Sequence, residues 1–177
     1  SEKNAADDLD VLAQVNAVEK SLIELGHSTE KFGVDLNLEM FENFLHQYKP
    51  DLVFNLVEAI NGVEKYLHFI PVILEKLKIP FTGGNSESLY VTTNKVLTKK
   101  ILDLQNIPTP KWFTSKNNFD KINFNTPCII KPIFEDASVG LDDFSIIFDS
   151  ENLNVELKFR SEKYGECFVE EFIDGRE

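Results

Sequence analysis

Hydrophobic residues in the first half of the chain follow helical stripes that alternate with short, nearly continuous apolar runs. Five of them share one face of a predicted helix over residues 9–25, namely Val11, Val15, Val18, Leu22 and Leu25. The same spacing predicts a second helix over residues 36–48 and a third over residues 64–76. Pro71 lies inside the third pattern, so it either kinks that helix or marks its true start.

Three predicted strands lie between and after these helices. Residues 51–57, "DLVFNLV", are apolar almost throughout, which is typical of a strand that is buried on both faces of a parallel sheet. Residues 27–34 and 79–83 have room for shorter strands. The alternation of helix and strand predicts βαβ units. Such chains normally begin with a strand, and this one begins with an acidic segment and a helix, so we expect a first strand to be missing or never to have existed.

The pattern changes near residue 90. A helix is predicted from a cap at Thr93 to Gln105, with Leu97, Ile101 and Leu104 as its buried stripe. Short strands are predicted over residues 111–114, 128–131, 144–148 and 167–172, and a long helix precedes the last of them, over residues 151–164. The sequence therefore predicts an α/β protein with two parts: a partial Rossmann-like domain over residues 1–92 and an α+β unit over residues 93–177.

Composition and charge restrict the classes of partner. The chain has 30 acidic and 18 basic residues, a net charge of -12, which disfavours nucleic acid and anionic membrane surfaces. Small anions are not excluded, because local cations and backbone N–H groups act at short range. No apolar run approaches the length of roughly 18 residues that a membrane span needs. Two cysteines, Cys128 and Cys167, lie in apolar runs and predict buried thiols and a cytoplasmic protein. The three histidines show no metal-ligand spacing.

A lysine and a loop of small residues follow one another in "PCIIKPIFEDASVG". Lys131 ends a buried strand, where it either reaches solvent or holds a phosphate. Ala137, Ser138 and Gly140 offer backbone N–H groups to an anion, although an acidic surface turn has the same composition. The chain contains no Walker P-loop.

Two further segments carry candidate binding groups. Lys95 lies near a helix N-terminus, where a cation and the helix dipole can together hold phosphate, whereas Lys99 and Lys100 are expected on a solvated face. The segment "CFVEEFIDGRE" is an apolar strand with an acidic end. It offers backbone groups to an adenine and a carboxylate to ribose hydroxyls, or it is simply a solvated strand end.

Four segments in this order resemble the N-terminal half of ATP-grasp ligases of the D-alanine–D-alanine ligase type: "PDLVFNLVE", "LKIPFTGGNSESLYVTTNKVLTKKILDLQNIPTPKW", "PCIIKPIFEDASVG" and "CFVEEFIDGRE". The resemblance implies a Rossmann-like preATP-grasp domain over residues 1–92. It implies the small ATP-grasp subdomain over residues 93–177, and it implies that the larger C-terminal ATP-grasp half is missing.

The resemblance also implies an ATP site. Lys95 and Lys131 would contact the phosphates, and Ser138 would lie in the loop that closes over them. Glu170 would accept from the adenine amino group, and Phe172 and Ile173 would lie along the adenine. Glu177 would hold the ribose hydroxyls. It assigns no catalytic residue and no metal ligand within these residues, and Mg²⁺ is expected to be held by ligands outside this chain.

The activity implied is ADP-forming ligation, in which ATP phosphorylates a carboxylate and an amine attacks the acyl phosphate, as in peptidoglycan precursor synthesis. The substrate would be an amino acid or another small carboxylate, and a second copy of the chain is a candidate partner. The family's Gly-rich substrate loop reads "SEKNAADDLDV" here, which leaves the substrate unassigned. This chain alone is expected to be inactive. The alternative is a truncated, non-catalytic ATP-grasp module that binds nucleotide or a protein partner.

Overall fold

A computed structural model describes residues 2–114, 127–135 and 139–175, with the backbone alone for residues 2–10 and 150. The chain divides into two compact units, Ser1–Tyr90 and Val91–Glu177. Within the described residues, no helix combines the length and the apolar character that crossing a membrane requires.

Helices and turns dominate the first unit. Its helices are α1 (Glu2–Glu24), α2 (Leu38–Tyr48), α3 (Phe69–Leu77) and, at the boundary with the second unit, α4 (Ser86–Thr93). A 3₁₀ turn, Glu64–Tyr66, precedes α3. Pro71 lies in the first turn of α3, where a backbone N–H would have no acceptor within the helix. The lack of an N–H in proline therefore breaks no helical hydrogen bond there. Pro71 thus marks the start of the helix, which was one of the two predicted alternatives. The sequence analysis missed α4, whose N-terminus is capped by Glu75, an acceptor for the Ser86 N–H and hydroxyl.

One apolar core organises this unit. Ile60, which lies before the 3₁₀ turn, forms it together with buried residues of α2 and α3: Phe41, Leu45, Ile70, Ile73 and Leu74. On α1 the predicted stripe is the less exposed face at Val11, Val15, Val18 and Leu22. Leu25 lies beyond the end of the helix and is exposed. The helical periodicity of the first half was therefore a reliable guide to its buried faces.

The predicted buried strand over residues 51–57 is wrong. Val53 pairs with Phe81 in a single parallel bridge, in which the Val53 N–H donates to Pro80 O at 2.8 Å and its carbonyl accepts from the Thr82 N–H at 3.0 Å. Leu52 and Phe54 are exposed, so the run is not buried on both faces. A strand needs a hydrogen-bonded neighbour along its length. In the part of the chain that the structure describes, this pairing is a single bridge, and the predicted parallel Rossmann-like sheet is not confirmed.

Strands and two helices build the second unit. The helices are α5 (Lys95–Leu104) and α6 (Ser150–Tyr164). The strands are β1 (Trp112–Thr114), β2 (Cys128–Pro132), β3 (Ile146–Ile147) and β4 (Cys167–Glu171), and α6 lies between β3 and β4 in the chain. A 3₁₀ turn, Asp143–Ser145, precedes β3. The described strands form an antiparallel sheet of order β1-β4-β2-β3. This is the mixed α and β unit that the sequence predicted.

The sheet is covered on both faces. On one face, residues of the strands pack with two leucines of α6 in a buried cluster: Phe113, Cys128, Ile130, Ile147, Leu153, Leu157, Cys167 and Val169. On the other face, Val96 of α5 packs with Phe168 and Ile133. Because side chains alternate along a strand, each inner strand has apolar side chains for one helix and a separate set for the other.

Helix α5 presents a different face to the sheet than its pattern predicts. Its cap is Asn94, whose side chain accepts from the Leu97 N–H, and not Thr93. Val96 and Lys99 are its buried residues, whereas Ile101 and Leu104 are exposed. A charged residue, Lys99, therefore lies on the buried face of α5, although hydrophobic periodicity assigned that face to Leu97, Ile101 and Leu104.

Candidate functional site

Strands β2 and β4 bring Lys131 and Glu170 together. In the β2–β4 register Ile129 lies opposite Glu170 and Lys131 lies opposite Phe168, so Lys131 and Glu170 are diagonal neighbours on one face. That face is the one that α5 covers. The Lys131 Nζ lies 2.5 Å from Glu170 Oε1. Two residues that the sequence analysis placed in separate motifs thus form one ion pair.

Lys99 of α5 completes this cluster from the other side of the carboxylate. Its Nζ lies 2.5 Å from Glu170 Oε2 and donates to Thr109 Oγ1 at 2.7 Å. Lys99 is only 9% exposed, so its predicted place on a solvated face is wrong. Two ammonium groups share one carboxylate, and the Lys99–Glu170–Lys131 cluster carries one unbalanced positive charge.

Glu170 is held in its charged form. Burial is the largest influence on its pKa and raises it, but hydrogen bonds from Lys131 and Lys99, together with their charges, outweigh burial and lower the pKa from its ordinary value of 4.5. The carboxylate is 6% exposed, and an ionised group at that depth needs the partners that it has. The predicted contact of Glu170 with an adenine amino group would use a lone pair that the lysines leave, and it stays a prediction.

Lys95 reaches the same end of β2 by a different route. It is the first residue of α5, and its backbone N–H donates to Ile133 O at 3.1 Å, just past the end of β2. Its Nζ donates to the carbonyl of Glu135. The helix N-terminus and both predicted phosphate-contacting lysines, Lys95 and Lys131, are therefore tied to one short stretch of chain.

The segment that follows is anchored on α6 by Arg160, which sequence reasoning did not identify. Arg160 is buried and donates from Nη1 to Gly140 O at 2.6 Å and from Nη2 to Asp142 Oδ1 at 2.5 Å. Its Nε lies 2.8 Å from Glu156 Oε1, an ion pair in which the N–H does not point at the oxygen. In the sequence, the only sign of this anchor was its charges, namely the acids Asp142 and Glu156 and the arginine Arg160 on the long helix.

Gly140 is required by both conformation and space. Its φ is +76°, and a Cβ built there would lie 2.9 Å from Pro132 Cγ and 3.1 Å from Tyr164 Cγ. Both the left-handed backbone and the close neighbours exclude a side chain. Ser138, the predicted member of the closing loop, lies outside the described residues, as does the predicted ribose contact Glu177.

The chain beyond β4 carries the two predicted adenine neighbours. The Phe172 N–H donates to Pro127 O at 2.9 Å, which continues the pairing of β4 with the segment before β2. Phe172 is half-buried, whereas Ile173 is 62% exposed. Two apolar side chains, Phe172 and Ile173, therefore follow Glu170 and Glu171 along the chain.

Neither metal nor thiol chemistry has support at this site. Among the residues that the structure describes, no group of three His, Cys, Asp or Glu side chains is placed to hold a metal ion. Glu170, the buried acid of the site, has its oxygens occupied by lysines. Burial raises the pKa of Cys128 to about 11 and also raises that of Cys167, so both are inert thiols. What the arrangement offers is positive charge for an anion.

Comparison with known proteins gives consistent relatives. No protein-family model matches the chain. It is 33% identical over 164 residues to a D-alanine–D-alanine ligase of Aquifex aeolicus (strain VF5), a match that covers 91% of this chain and 53% of that protein. The chain spans about half the length of the curated relatives that it matches, and the matching part is their N-terminal half.

Solved structures agree with the sequence comparison. A D-alanine–D-alanine ligase from Bacillus anthracis superposes with a TM-score of 0.60 at 28% identity, over 82% of this chain and 47% of that one. A structure of such a ligase from Bacillus anthracis complexed with ATP superposes with a TM-score of 0.55 at 25% identity, over 76% and 45%. The chain and the relatives therefore share a fold as well as sequence.

Proposed function

Because this chain belongs to the ATP-grasp family and matches the N-terminal half of D-alanine–D-alanine ligases, we propose that residues 91–177 form one wall of the ATP site of an ADP-forming carboxylate–amine ligase. The observation that carries the proposal is the cluster of Lys99, Lys131 and Glu170, in which two buried or half-buried ammonium groups face one carboxylate. An arrangement with excess positive charge at the end of a buried strand is suited to a polyphosphate.

In this proposal the phosphates bind at Lys131 and Lys95. The Lys131 side chain is 30% exposed, so an incoming anion can reach its ammonium group while Glu170 holds it from behind. Lys95 adds a second cation at the N-terminus of α5, where the helix dipole favours negative charge. The loop residue Ser138 would close over the phosphates.

The adenosine end would lie along the chain after β4. Glu170 would accept from the adenine amino group, Phe172 and Ile173 would lie along the ring, and Glu177 would hold the ribose hydroxyls. The exposed apolar side chain of Ile173 beside the strand end supports this placement. Residues 1–92 would be the preATP-grasp domain, which in such ligases contributes to the substrate site.

The reaction proposed for the whole enzyme has two steps. A substrate carboxylate oxygen attacks the γ-phosphorus of ATP, the bond to the bridging oxygen breaks, and ADP leaves with that electron pair. An amine then attacks the acyl phosphate carbonyl, expels inorganic phosphate and loses a proton to solvent as the amide forms. Lys95 and Lys131 would stabilise charge on the transferring phosphoryl group. The described residues do not fit a magnesium site.

Calorimetric titration with ATP and with adenosine tests the proposal. Lys131→Ala should weaken ATP binding by about 1.5–3 kcal/mol, the range for a lost charge-assisted hydrogen bond, and leave adenosine binding nearly unchanged. Lys100→Ala is the matched control, because Lys100 is an exposed lysine on the same helix as Lys99. Equal losses for ATP and adenosine, or no ATP binding by the unmodified chain, would contradict the proposed function.

A further inference from the structure

Lys99 is the most buried of the lysines around Glu170, and the proposed ATP site gives it no contact with the phosphates. Its side chain is 11% exposed, compared with 30% for Lys131, although both lie 2.5 Å from an oxygen of the same carboxylate. Its other partner is the hydroxyl of Thr109, in the segment between α5 and β1. Lys99 therefore faces the protein interior, and Lys131 faces the solvent side of the same carboxylate.

The charges of the cluster depend on Lys99. With both lysines present, Glu170 is shared and the sum is one positive charge. Without Lys99, Glu170 and Lys131 would form a neutral pair, and the carboxylate would oppose any anion that approaches Lys131. Unit charges a few ångströms apart interact strongly at a partly buried site, so this difference affects the binding of a polyphosphate far more than that of a neutral nucleoside.

We propose that Lys99 is a positioning residue that neutralises Glu170 from the protein interior, so that the charge of Lys131 is available to the polyphosphate chain of a nucleotide. This inference rests on the proposed function, because it concerns the same phosphate site. Lys99 touches no ligand in this scheme. It acts through Glu170, and Thr109 holds its ammonium group in place.

Charge counting gives an ordered series of variants for the test. The cluster carries +2 in Glu170→Gln, +1 in the unmodified chain, +1 in the double variant Lys99→Gln/Glu170→Gln, and 0 in Lys99→Gln. Inorganic tripolyphosphate is the probe, because it lacks the adenine that Glu170 is proposed to contact. We expect affinities in that same order, with Lys99→Gln about tenfold weaker than the unmodified chain, which corresponds to about 1.4 kcal/mol.

Three measurements separate positioning from a merely structural role. Adenosine affinity should be unchanged in Lys99→Gln, Lys99→Arg should restore tripolyphosphate binding to within about threefold, and Lys100→Gln should behave as the unmodified chain. The double variant is decisive even if Lys99→Gln folds poorly, because it restores the charge without restoring the lysine. Fluorescence of Trp112 reports whether each variant is folded.

The outcomes distinguish this inference from the proposed function. If the unmodified chain binds ATP and Lys131→Ala weakens it, but Lys99→Gln binds tripolyphosphate normally, the positioning role is refuted and the ATP site stands. A double variant as weak as Lys99→Gln also refutes it. If the unmodified chain binds neither ATP nor tripolyphosphate, the proposed function fails and this inference fails with it.

Discussion

Replacing Glu170 with glutamine should destabilise the second unit more than any other single isosteric change at the site. The substitution keeps the shape of the side chain and removes the charge that Lys99 and Lys131 share. Each Nζ lies 2.5 Å from a different oxygen of one carboxylate. The two ammonium groups can therefore be no more than about 7 Å apart, and at an effective dielectric constant of about 20 they would repel each other by about 2 kcal/mol.

Lost attraction adds to this repulsion. Breaking a buried ion pair by removing one partner typically costs about 3–5 kcal/mol. Because Lys131 is partly exposed and can turn toward water, we expect Glu170→Gln to cost about 3 kcal/mol in the free energy of unfolding, at the lower end of that range. The double variant Lys99→Gln/Glu170→Gln should cost less than Glu170→Gln alone, because it leaves no like-charged pair.

Urea denaturation followed by tryptophan fluorescence measures this cost. Trp112 is the only tryptophan of the chain and lies opposite Glu170 on β1, so its signal reports on the second unit. Glu171→Gln is the control, since the neighbouring side chain points to the other face of the strand. A cost for Glu170→Gln below about 1 kcal/mol, or equal to that of the control, would refute the reasoning, because exposed pairs contribute no more than that.

The same variant has a pH dependence of known sign. The pKa of Glu170 in the folded chain is below its ordinary value of 4.5, although burial alone would raise it. The stability that the carboxylate contributes is therefore fully present above about pH 4.5 and is lost as the pH falls through the folded pKa. The difference in unfolding free energy between the unmodified chain and Glu170→Gln should shrink over that acidic window, and a difference that stays constant would contradict the assignment.

Three further predictions concern the elements around the site. Desolvation raises the pKa of the half-exposed Asp142, but hydrogen bonding and charge from Arg160 lower it below the ordinary value of 3.8, so the loss of stability in Asp142→Asn, about 1 kcal/mol at pH 7, should disappear as the pH falls below 3.8 in urea titrations. Gly140→Ala should cost about 2–4 kcal/mol from backbone strain and crowding, whereas Gly26→Ala, with a φ of +88° and open space after α1, should cost only about 1 kcal/mol, and equal costs would contradict the packing argument. Asn94→Ala should cost about 1 kcal/mol because the Leu97 N–H loses its cap, and a thermal unfolding midpoint unchanged from the unmodified chain would exclude that role.

Local patterns in the sequence were sufficient for most elements of the second unit. Strands β2 and β4 read directly from short apolar runs, and α6 from the segment between two strands, because burial and backbone preference act over a few residues. The mixed character of this unit and the family followed from the order of motifs. Lys131 and Glu170 were identified as candidates, but as members of separate motifs with separate roles.

A sign of the buried cluster was nevertheless present in the sequence. Glu170 follows three apolar residues of β4, and a carboxylate at the end of such a run needs a cation near it. The pattern did not say which lysine that would be. Lys95, Lys99, Lys100 and Lys131 were equal candidates, since the chain alone gives no distance between α5 and the sheet.

Tertiary packing alone decided which face of α5 is buried and how far residues 51–57 are paired. Hydrophobic periodicity assigned the buried face to Leu97, Ile101 and Leu104, but pairing of Lys99 with Glu170 and Thr109 is compatible only with another rotation of the helix. Residues 51–57 have the composition of a central strand, but among the described residues their strand pairing is a single bridge at Val53. In both cases the outcome depends on a partner remote in sequence, because ion pairs and strand ladders form between segments and a local pattern describes only one of the two.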